Sequence, residues 1–397
     1  MPTATKEMPA EKQFAAWGTE PIPARPYYCP DYFELEREAI FRQTWVHVAH
    51  VCELPEADSF IVRKVDIANA SLLITRDKRG AIRAFHNICT HRGTELVAEG
   101  SGRRAGFTCR YHAWIFNNDG SLRSAPDFER FHIDKSLCGL PEVATDVCAG
   151  LIFVNLAKRP RQSLRDFLGP LAEQLETLPM ARATGFSEWV FTLQANWKLI
   201  MDNFQEGYHL RFIHARSGAA GLSDENPFGY PAGYSFHGPH RKQMLRVNPN
   251  PVIRPTQGFA AAKLAAHAAA DGSMSGPHSR ETFGIFPNLN IIGSPISNFS
   301  LTVQPLTAGS ARGVFRMYWV GDDASATVRF GREMAMIGAM EVHAEDIGVL
   351  EAGQRGLASG ALEHIHFQEH EVRCRHLFLN IDGAVQAYAT GQAGRHA

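Results

Sequence analysis

The chain has 397 residues, with 40 Lys plus Arg against 41 Asp plus Glu and a formal net charge of -1. That length exceeds one ordinary core and predicts two domains, while the balanced charge excludes a general field for nucleic acid or anionic lipid. Apolar residues at 45% and charged residues at 20% exclude wholesale disorder, and no window approaches the roughly 18–20 apolar residues of a membrane span.

Residues 1–35 begin without the apolar core of a secretory signal. They then run into PIPARPYY, a stiff extended segment. Residues 31–47 place Phe33, Leu35, Ile40, Phe41 and Trp45 at helical spacing, which predicts a helix starting near Asp31. From about 50 to 157 short alternating runs bounded by Gly, Asp, Asn and Pro predict strands. Residues 161–178 predict a helix broken at Gly169-Pro170. WVFTLQANWKLIMDNFQEGYHLRFIHA predicts a strand entering a helix, and 217–280, rich in Gly, Pro and Ala, predicts loops with one short helix. Strands resume over 282–319, a helix covers 330–352, and a last helix or strand-rich tail covers 361–389. The fold class is therefore α+β. An N-terminal extension and helix (1–48) packs on the larger domain, a small all-β domain covers 49–160, and a domain around an antiparallel sheet covers 161–397.

The seven cysteines are odd in number and scattered, which argues against a disulfide scaffold and for a cytoplasmic, metal-using enzyme. Cys89-Thr90-His91 and Cys109-Arg110-Tyr111-His112 form two ligand pairs beside turn residues. Two thiolates and two imidazoles suit tetrahedral zinc. They equally suit a two-iron, two-sulfur cluster whose histidines raise its potential. A second group, Asp202, Asn203, Glu206, His209 and His214, follows. On a continuous helix Asn203, Glu206 and His209 share a face, while His214 lies about 140° from His209. Both histidines can then meet one metal only if the helix ends or distorts around Leu210 to Phe212. A carboxylate would complete the facial triad of non-haem iron. Asp202, Glu206, Glu341, Glu345, Asp346 and Glu351 are all candidates on spacing alone.

CTHRG and CRYHAW, followed by NWKLIMDNFQEGYHLRFIH, FPNL and EDIGVLEAGQRGL, resemble the catalytic alpha subunit of Rieske non-haem iron oxygenases over most of the chain. The resemblance implies that Cys89, His91, Cys109 and His112 hold a [2Fe-2S] cluster. It implies that His209, His214 and Asp346 hold a mononuclear Fe(II), with Glu345 the alternative carboxylate. Glu206 and Asn203 take catalytic places in the family pattern. Glu206 stands where many members have aspartate, as an acidic bridge to the second cluster histidine, here His112, of a neighbouring subunit. The implied assembly is a head-to-tail homotrimer, with or without a small beta subunit. The implied partners are O2, a small organic substrate and a separate ferredoxin and/or flavin reductase, since the chain has no nucleotide-binding glycine motif.

The expected activity is hydroxylation, mono- or dioxygenation, or oxidative demethylation, of an aromatic compound. A quaternary-ammonium or betaine monooxygenase, a non-catalytic electron-transfer protein and a structural zinc protein are the alternatives. Phe204, Phe212, Phe283, Phe299 and Phe315, with Phe228, are candidate pocket residues for an aromatic substrate. Tyr230, Tyr234, Tyr318 and Trp319 are candidates for a cage around a methylated ammonium. Arg216, Arg241 and Lys242 are candidate partners of a substrate carboxylate.

Overall fold

The computed structural model describes residues 14–214, 217, 222–246, 248, 253–270, 281–293, 298–321 and 325–393. The chain forms two compact units, one of residues 41–167 and one that joins 1–40 to 168–397. Arg216 lies outside the described residues. No described helix is long and apolar enough to cross a membrane.

The smaller unit is built on a seven-stranded antiparallel sheet. Its spatial order is Trp45–His50, Leu151–Asn155, Glu142–Cys148, Ile82–His86, Ala70–Arg76, Ser59–Val65 and Ser101–Arg103. A three-stranded sheet, Phe107–Thr108, Ile115–Phe116 and Leu122–Ser124, carries the second Cys/His loop. Phe60, Phe85, Phe107, Trp114 and Phe116 form a core that includes Cys89 and Cys109.

The helix predicted over 31–47 is shorter. It covers Pro30–Glu36, continues as a wide turn Arg37–Phe41, and gives way to the strand Trp45–His50. All six residues of that strand are buried. Trp45 with β-branched Val46 and Val48 fits a pleated surface, and that preference overrides the helical spacing.

The larger unit centres on a second seven-stranded antiparallel sheet. The order runs Gly185–Leu193, Ser310–Trp319, Asn298–Thr307, Leu289–Gly293, Glu281–Ile285, His240–Met244 and Gly233–His237. The helices Trp197–Asn203, Pro255–Ala270, Ala326–Ala358 and Val372–Ala393 belong to this unit. The tail beyond 361 is chiefly the last of these, after the two-residue strand His364–Ile365. Arg241 and Lys242 are buried strand residues with partners inside the chain. Arg241 donates to Gln205 Oε1, and Lys242 Nζ sits 2.8 Å from Glu281 Oε1.

A buried ion pair anchors the N-terminal helix to the helix that leads into the site. Lys198 Nζ donates to Glu36 Oε1 at 2.6 Å, Trp197 Nε1 donates to Glu36 Oε2 at 2.9 Å, and both charged residues are 0% exposed. Lys198 also lies over the rings of Tyr27 and Tyr32 at 5.3 and 5.8 Å. Burial pushes the Glu36 carboxyl up and the Lys198 ammonium down, and each partner opposes the shift of the other. Removing one member strands the other charge, which costs about 3–5 kcal/mol. Glu36→Ala is therefore expected to lower the unfolding free energy read from urea titration by an amount in that range, and the midpoint with it. Glu36→Gln combined with Lys198→Met is expected to recover most of it, and an unchanged midpoint in Glu36→Ala would show that the pair carries no weight.

Candidate metal centres

The two Cys/His loops of the smaller unit are built alike. Cys89 N–H donates to Thr94 O and Gly93 N–H returns to Cys89 O, both at 2.8 Å. Cys109 N–H donates to Trp114 O at 2.8 Å and Ala113 N–H returns to Cys109 O at 3.0 Å. The fourth residue after each cysteine turns left-handed, Gly93 at φ 77° and Ala113 at φ 57°. The two thiols share a hydrogen bond. Burial pushes Cys89 up. At Cys109 burial acts in the same sense, but backbone N–H groups of Tyr111 and His112 outweigh it and bring the thiol down.

The His91 and His112 rings lie 4.5 Å apart between centroids, with His91 stacked on Trp114 at 5.0 Å. The Nδ1 atoms of both histidines are buried and have no hydrogen-bond partner. Two adjacent thiols and two orphaned imidazole nitrogens form a donor set that fits a cluster with sulfur ligands on one iron and nitrogen ligands on the other.

In the larger unit the segment 196–214 does not form the continuous helix expected from spacing. Asn196 caps the helix Trp197–Asn203 by accepting from Lys198 N–H at 3.0 Å. The chain then leaves helical geometry over 204–209 and resumes as the short helix Leu210–Ile213. The break precedes His209 instead of falling around Leu210 to Phe212. Gln205 fixes it, since it is 0% exposed, donates to Met201 O at 2.8 Å and accepts from Arg241 Nε. Gly207 permits a close approach, because a Cβ there would sit 2.9 Å from Gly229 O. Glu206 closes the turn by accepting the backbone N–H of Tyr208 and His209.

That break brings His209 and His214 together with Asp346 of the helix Ala326–Ala358. One ligand atom from each lies within 4.8 Å of the others. Asp346 Oδ1 is 3.0 Å from His214 Nε2 and 3.8 Å from His209 Nε2. It is buried without a hydrogen-bond partner. The opposite nitrogen of each imidazole faces a carboxylate. His209 Nδ1 meets Glu206 Oε1, and His214 Nδ1 meets Glu345 Oε2 at 2.8 Å. Burial opposes ionisation of Asp346, but the His214, His343 and His209 imidazoles outweigh it and hold the carboxyl below its usual range. Two imidazoles oriented from behind and one ionised carboxylate with a free oxygen fit a divalent metal.

The other candidate carboxylates lie elsewhere. Asp202 accepts from Tyr27 Oη at 2.8 Å, Glu341 from Arg254 at 2.9 Å, and Glu351 from the backbone of Gln194 at 3.0 Å.

A narrow pocket of about 10 Å3 opens beside Asp346. The helix Trp197–Asn203 and the residue after it contribute Ile200, Asn203 and Phe204, and the sheet contributes Phe191, Leu193 and Leu301. The long helix contributes His343, Asp346, Ile347 and Leu350, an i, i+3, i+4, i+7 stripe. Of the predicted phenylalanines, Phe204 lines this pocket. Phe315 and Phe299 pack against each other at a tilt with centroids 5.1 Å apart, Phe283 is 0% exposed in the sheet, and Phe212 is 64% exposed beside Phe228. The four candidate cage residues do not line it. Tyr230 stacks on His370, Tyr234 bonds to His370, Tyr318 pairs with Ser300, and Trp319 donates to Ser187. His343 was not foreseen, although its place three residues before Asp346 was a usable signal.

Residues 180–387 match the sequence model described as ring hydroxylating alpha subunit (catalytic domain), and residues 44–143 match the Rieske [2Fe-2S] domain. The first match covers more than half of the chain, so the chain belongs to the ring-hydroxylating alpha subunit family, the catalytic subunits of Rieske oxygenases. The cofactors of this class are a [2Fe-2S] cluster and a mononuclear iron. The chain is 34% identical over 211 residues to a glycine betaine monooxygenase oxygenase subunit from Chromohalobacter salexigens, covering 53% of this chain and 46% of that protein. It is also 34% identical over 192 residues to the anthranilate 1,2-dioxygenase large subunit of Acinetobacter baylyi, covering 47% and 40%. The matched part thus spans less than half the length of these relatives. A crystal structure of the quaternary ammonium Rieske monooxygenase CntA with L-carnitine shares the fold, with a TM-score of 0.73 at 24% identity over 95% of this chain and 99% of that one.

A left-handed non-glycine residue costs about 1–2 kcal/mol, and more when it is β-branched. Ala113→Gly is therefore expected to retain the visible cluster absorption. Ala113→Val is expected to lose most of it, as read by absorption spectroscopy and acid-labile sulfide. Full absorption in Ala113→Val would contradict this reading of the loop.

Proposed function

We propose that the protein is a terminal oxygenase component that uses O2 and electrons from a separate ferredoxin and/or flavin reductase to hydroxylate a small, largely apolar aromatic substrate. The observation that carries the proposal is the convergence of His209, His214 and Asp346, whose ligand atoms lie within 4.8 Å of one another, with each imidazole backed by its own carboxylate. In this reading Cys89, His91, Cys109 and His112 hold the cluster, and His209, His214 and Asp346 hold the iron. When bound, the cluster supplies electrons one at a time and the iron supplies a redox-active site with positions open to O2 and substrate.

The chain's own residues set the conditions for that chemistry. Glu206 and Glu345 each take the Nδ1–H of an imidazole, which fixes the tautomer and leaves Nε2 as a lone-pair donor. Ile347 and Leu350 of the long helix, with Phe191, Leu193 and Leu301 of the sheet, make the surroundings of Asp346 apolar. Asn203 stands at the same pocket as a polar contact for substrate. The family pattern further supports a head-to-tail trimer in which Glu206 faces His112 of the neighbouring subunit.

Support for an apolar substrate comes from the pocket's lining, which is apolar apart from Asn203, His343 and Asp346 and among the described residues holds no Tyr or Trp. The identity to a glycine betaine monooxygenase subunit favours a second reading, oxidation of a quaternary ammonium compound. Product analysis against benzoates, anilines, glycine betaine and carnitine separates the two. Oxygen-dependent product from the aromatic set alone supports the first, and product from the ammonium set alone overturns it.

His209→Ala is expected to retain the reddish-brown absorption and abolish oxygen-dependent product. Turnover that survives this change would exclude the assigned iron site. Glu345→Ala is expected to weaken Fe(II) binding by about 10–100-fold with the cluster unaffected, measured by metal titration. Unchanged affinity would remove Glu345 from the metal's supporting groups.

A further inference from the structure

Both metal centres share one signature: a fully buried polar atom with no partner, at Asp346 Oδ1 and at Nδ1 of His91 and His112. The same signature recurs with the opposite charge at two arginines of the larger unit. Arg241 and Arg373 are each 0% exposed. Arg241 Nη2, Arg373 Nε and Arg373 Nη2 are buried donors without an acceptor.

The two guanidiniums meet on one face of the strand Glu281–Ile285. Arg241 stands opposite Gly284 in the sheet, and a Cβ on Gly284 would lie 2.9 Å from Arg241 Cγ and 3.0 Å from its Nε, so the glycine makes room for the side chain. Arg373, from the helix Val372–Ala393, donates to Thr282 Oγ1 at 3.0 Å. Thr282 and Gly284 are two residues apart on the strand and share a face. The remaining bonds go to neutral oxygens. Arg241 donates to Gln205 Oε1 and, at 3.3 Å, to Pro239 O, and Arg373 reaches Gln205 O at 3.5 Å. Among the described residues no carboxylate forms an ion pair with either arginine.

Arginine stays charged inside proteins, and buried charges are ordinarily paired. Burial pushes the Arg241 guanidinium down, and the charge of Arg373 pushes it the same way. The acid that opposes this at a distance is Asp202, itself pushed up to about 7 by burial and already accepting from Tyr27. Arg373 is opposed by the Cys374 thiol and the Tyr234 hydroxyl, and burial pushes both of these up, toward their neutral forms. His376, 0% exposed, feels the same field. Burial and the charge of Arg241 push its imidazole down to about 3. Two fixed positive charges thus face one partly ionised carboxyl, which leaves about one negative charge to be supplied.

We propose that Arg241 and Arg373 form a buried binding site for one small monovalent anion, a halide such as chloride. Its full burial favours a small ion over a carboxylate-bearing molecule or a phosphate, and a dianion would reverse the imbalance beside Asp202. Because both arginines hold Gln205, the ion sits beneath the chain break that presents His209. The site uses no metal ligand and stands independently of the oxygenase reading.

The test uses the iron-loaded protein freed of chloride and exchanged into sodium bromide, with sodium gluconate at equal ionic strength as the comparison. Crystals grown in bromide are expected to show an anomalous peak in contact with Arg241 Nη2 and with Nε or Nη2 of Arg373. An ion that binds only the folded chain raises Tm, so bromide is expected to raise it by about 3 °C or more over gluconate. Arg373→Met is expected to lose both the peak and the bromide-dependent rise, while general salt effects stay common to the two proteins. A point between the arginines that is empty or holds only water would overturn the proposal, and so would a Tm equal in the two salts or a bromide dependence that survives Arg373→Met. Should the variant fail to fold, the wild-type map decides alone.

Discussion

The larger unit is organised around a constraint that proteins ordinarily avoid: two imidazoles and a carboxylate brought to one largely buried point. Nε2 of His209, Nε2 of His214 and Oδ1 of Asp346 lie within 4.8 Å of one another, and Oδ1 has no hydrogen-bond partner. Leaving a buried acceptor unpaired costs about 1–3 kcal/mol, more for a charged group. A metal bound there would relieve that cost. Each part of the scaffold serves this end. Gln205 and Arg241 fix the helix break, Gly207 lets the backbone pass Gly229, and Glu206 and Glu345 turn the imidazoles outward.

The smaller unit solves a related problem with the opposite nitrogen. In the larger unit Nδ1 is occupied by a carboxylate and Nε2 is offered. In the smaller unit it is Nδ1 of His91 and His112 that is buried and free. Two loops with the same hydrogen-bond closure bring these nitrogens and the two thiols together. The left-handed residue in each loop lets the chain turn back, and the backbone N–H groups that face the sulfurs act to bring each thiol down, against burial that prevails at Cys89 and not at Cys109.

Much of this was legible in the residues. The Cys/His pairs, His209, His214 and Asp346 followed from motif and resemblance, and the α+β class followed from strand and helix periods. What periodicity could not see was tertiary. Spacing put Asn203, Glu206 and His209 on one helix face, but the chain breaks after Asn203 because Gln205 bonds to a distant strand. Trp45 fitted a helix until its strand partners were known. The phenylalanines could not be sorted into pocket and core, since Phe283 and Phe204 differ only in which face of which element is covered. His343 illustrates the reverse case: its spacing to Asp346 was visible, and the structure sets its imidazole among aromatic rings beside the Asp346 carboxylate.

The most direct test is the metal inventory of the purified wild-type chain, measured as iron, acid-labile sulfide and zinc on one sample. The account predicts about three irons and two sulfides per chain, two irons with the cysteine–histidine loops and one with the histidine–aspartate triad. Zinc in place of iron and sulfide would contradict it, and so would two irons and two sulfides with a triad that takes up no added Fe(II).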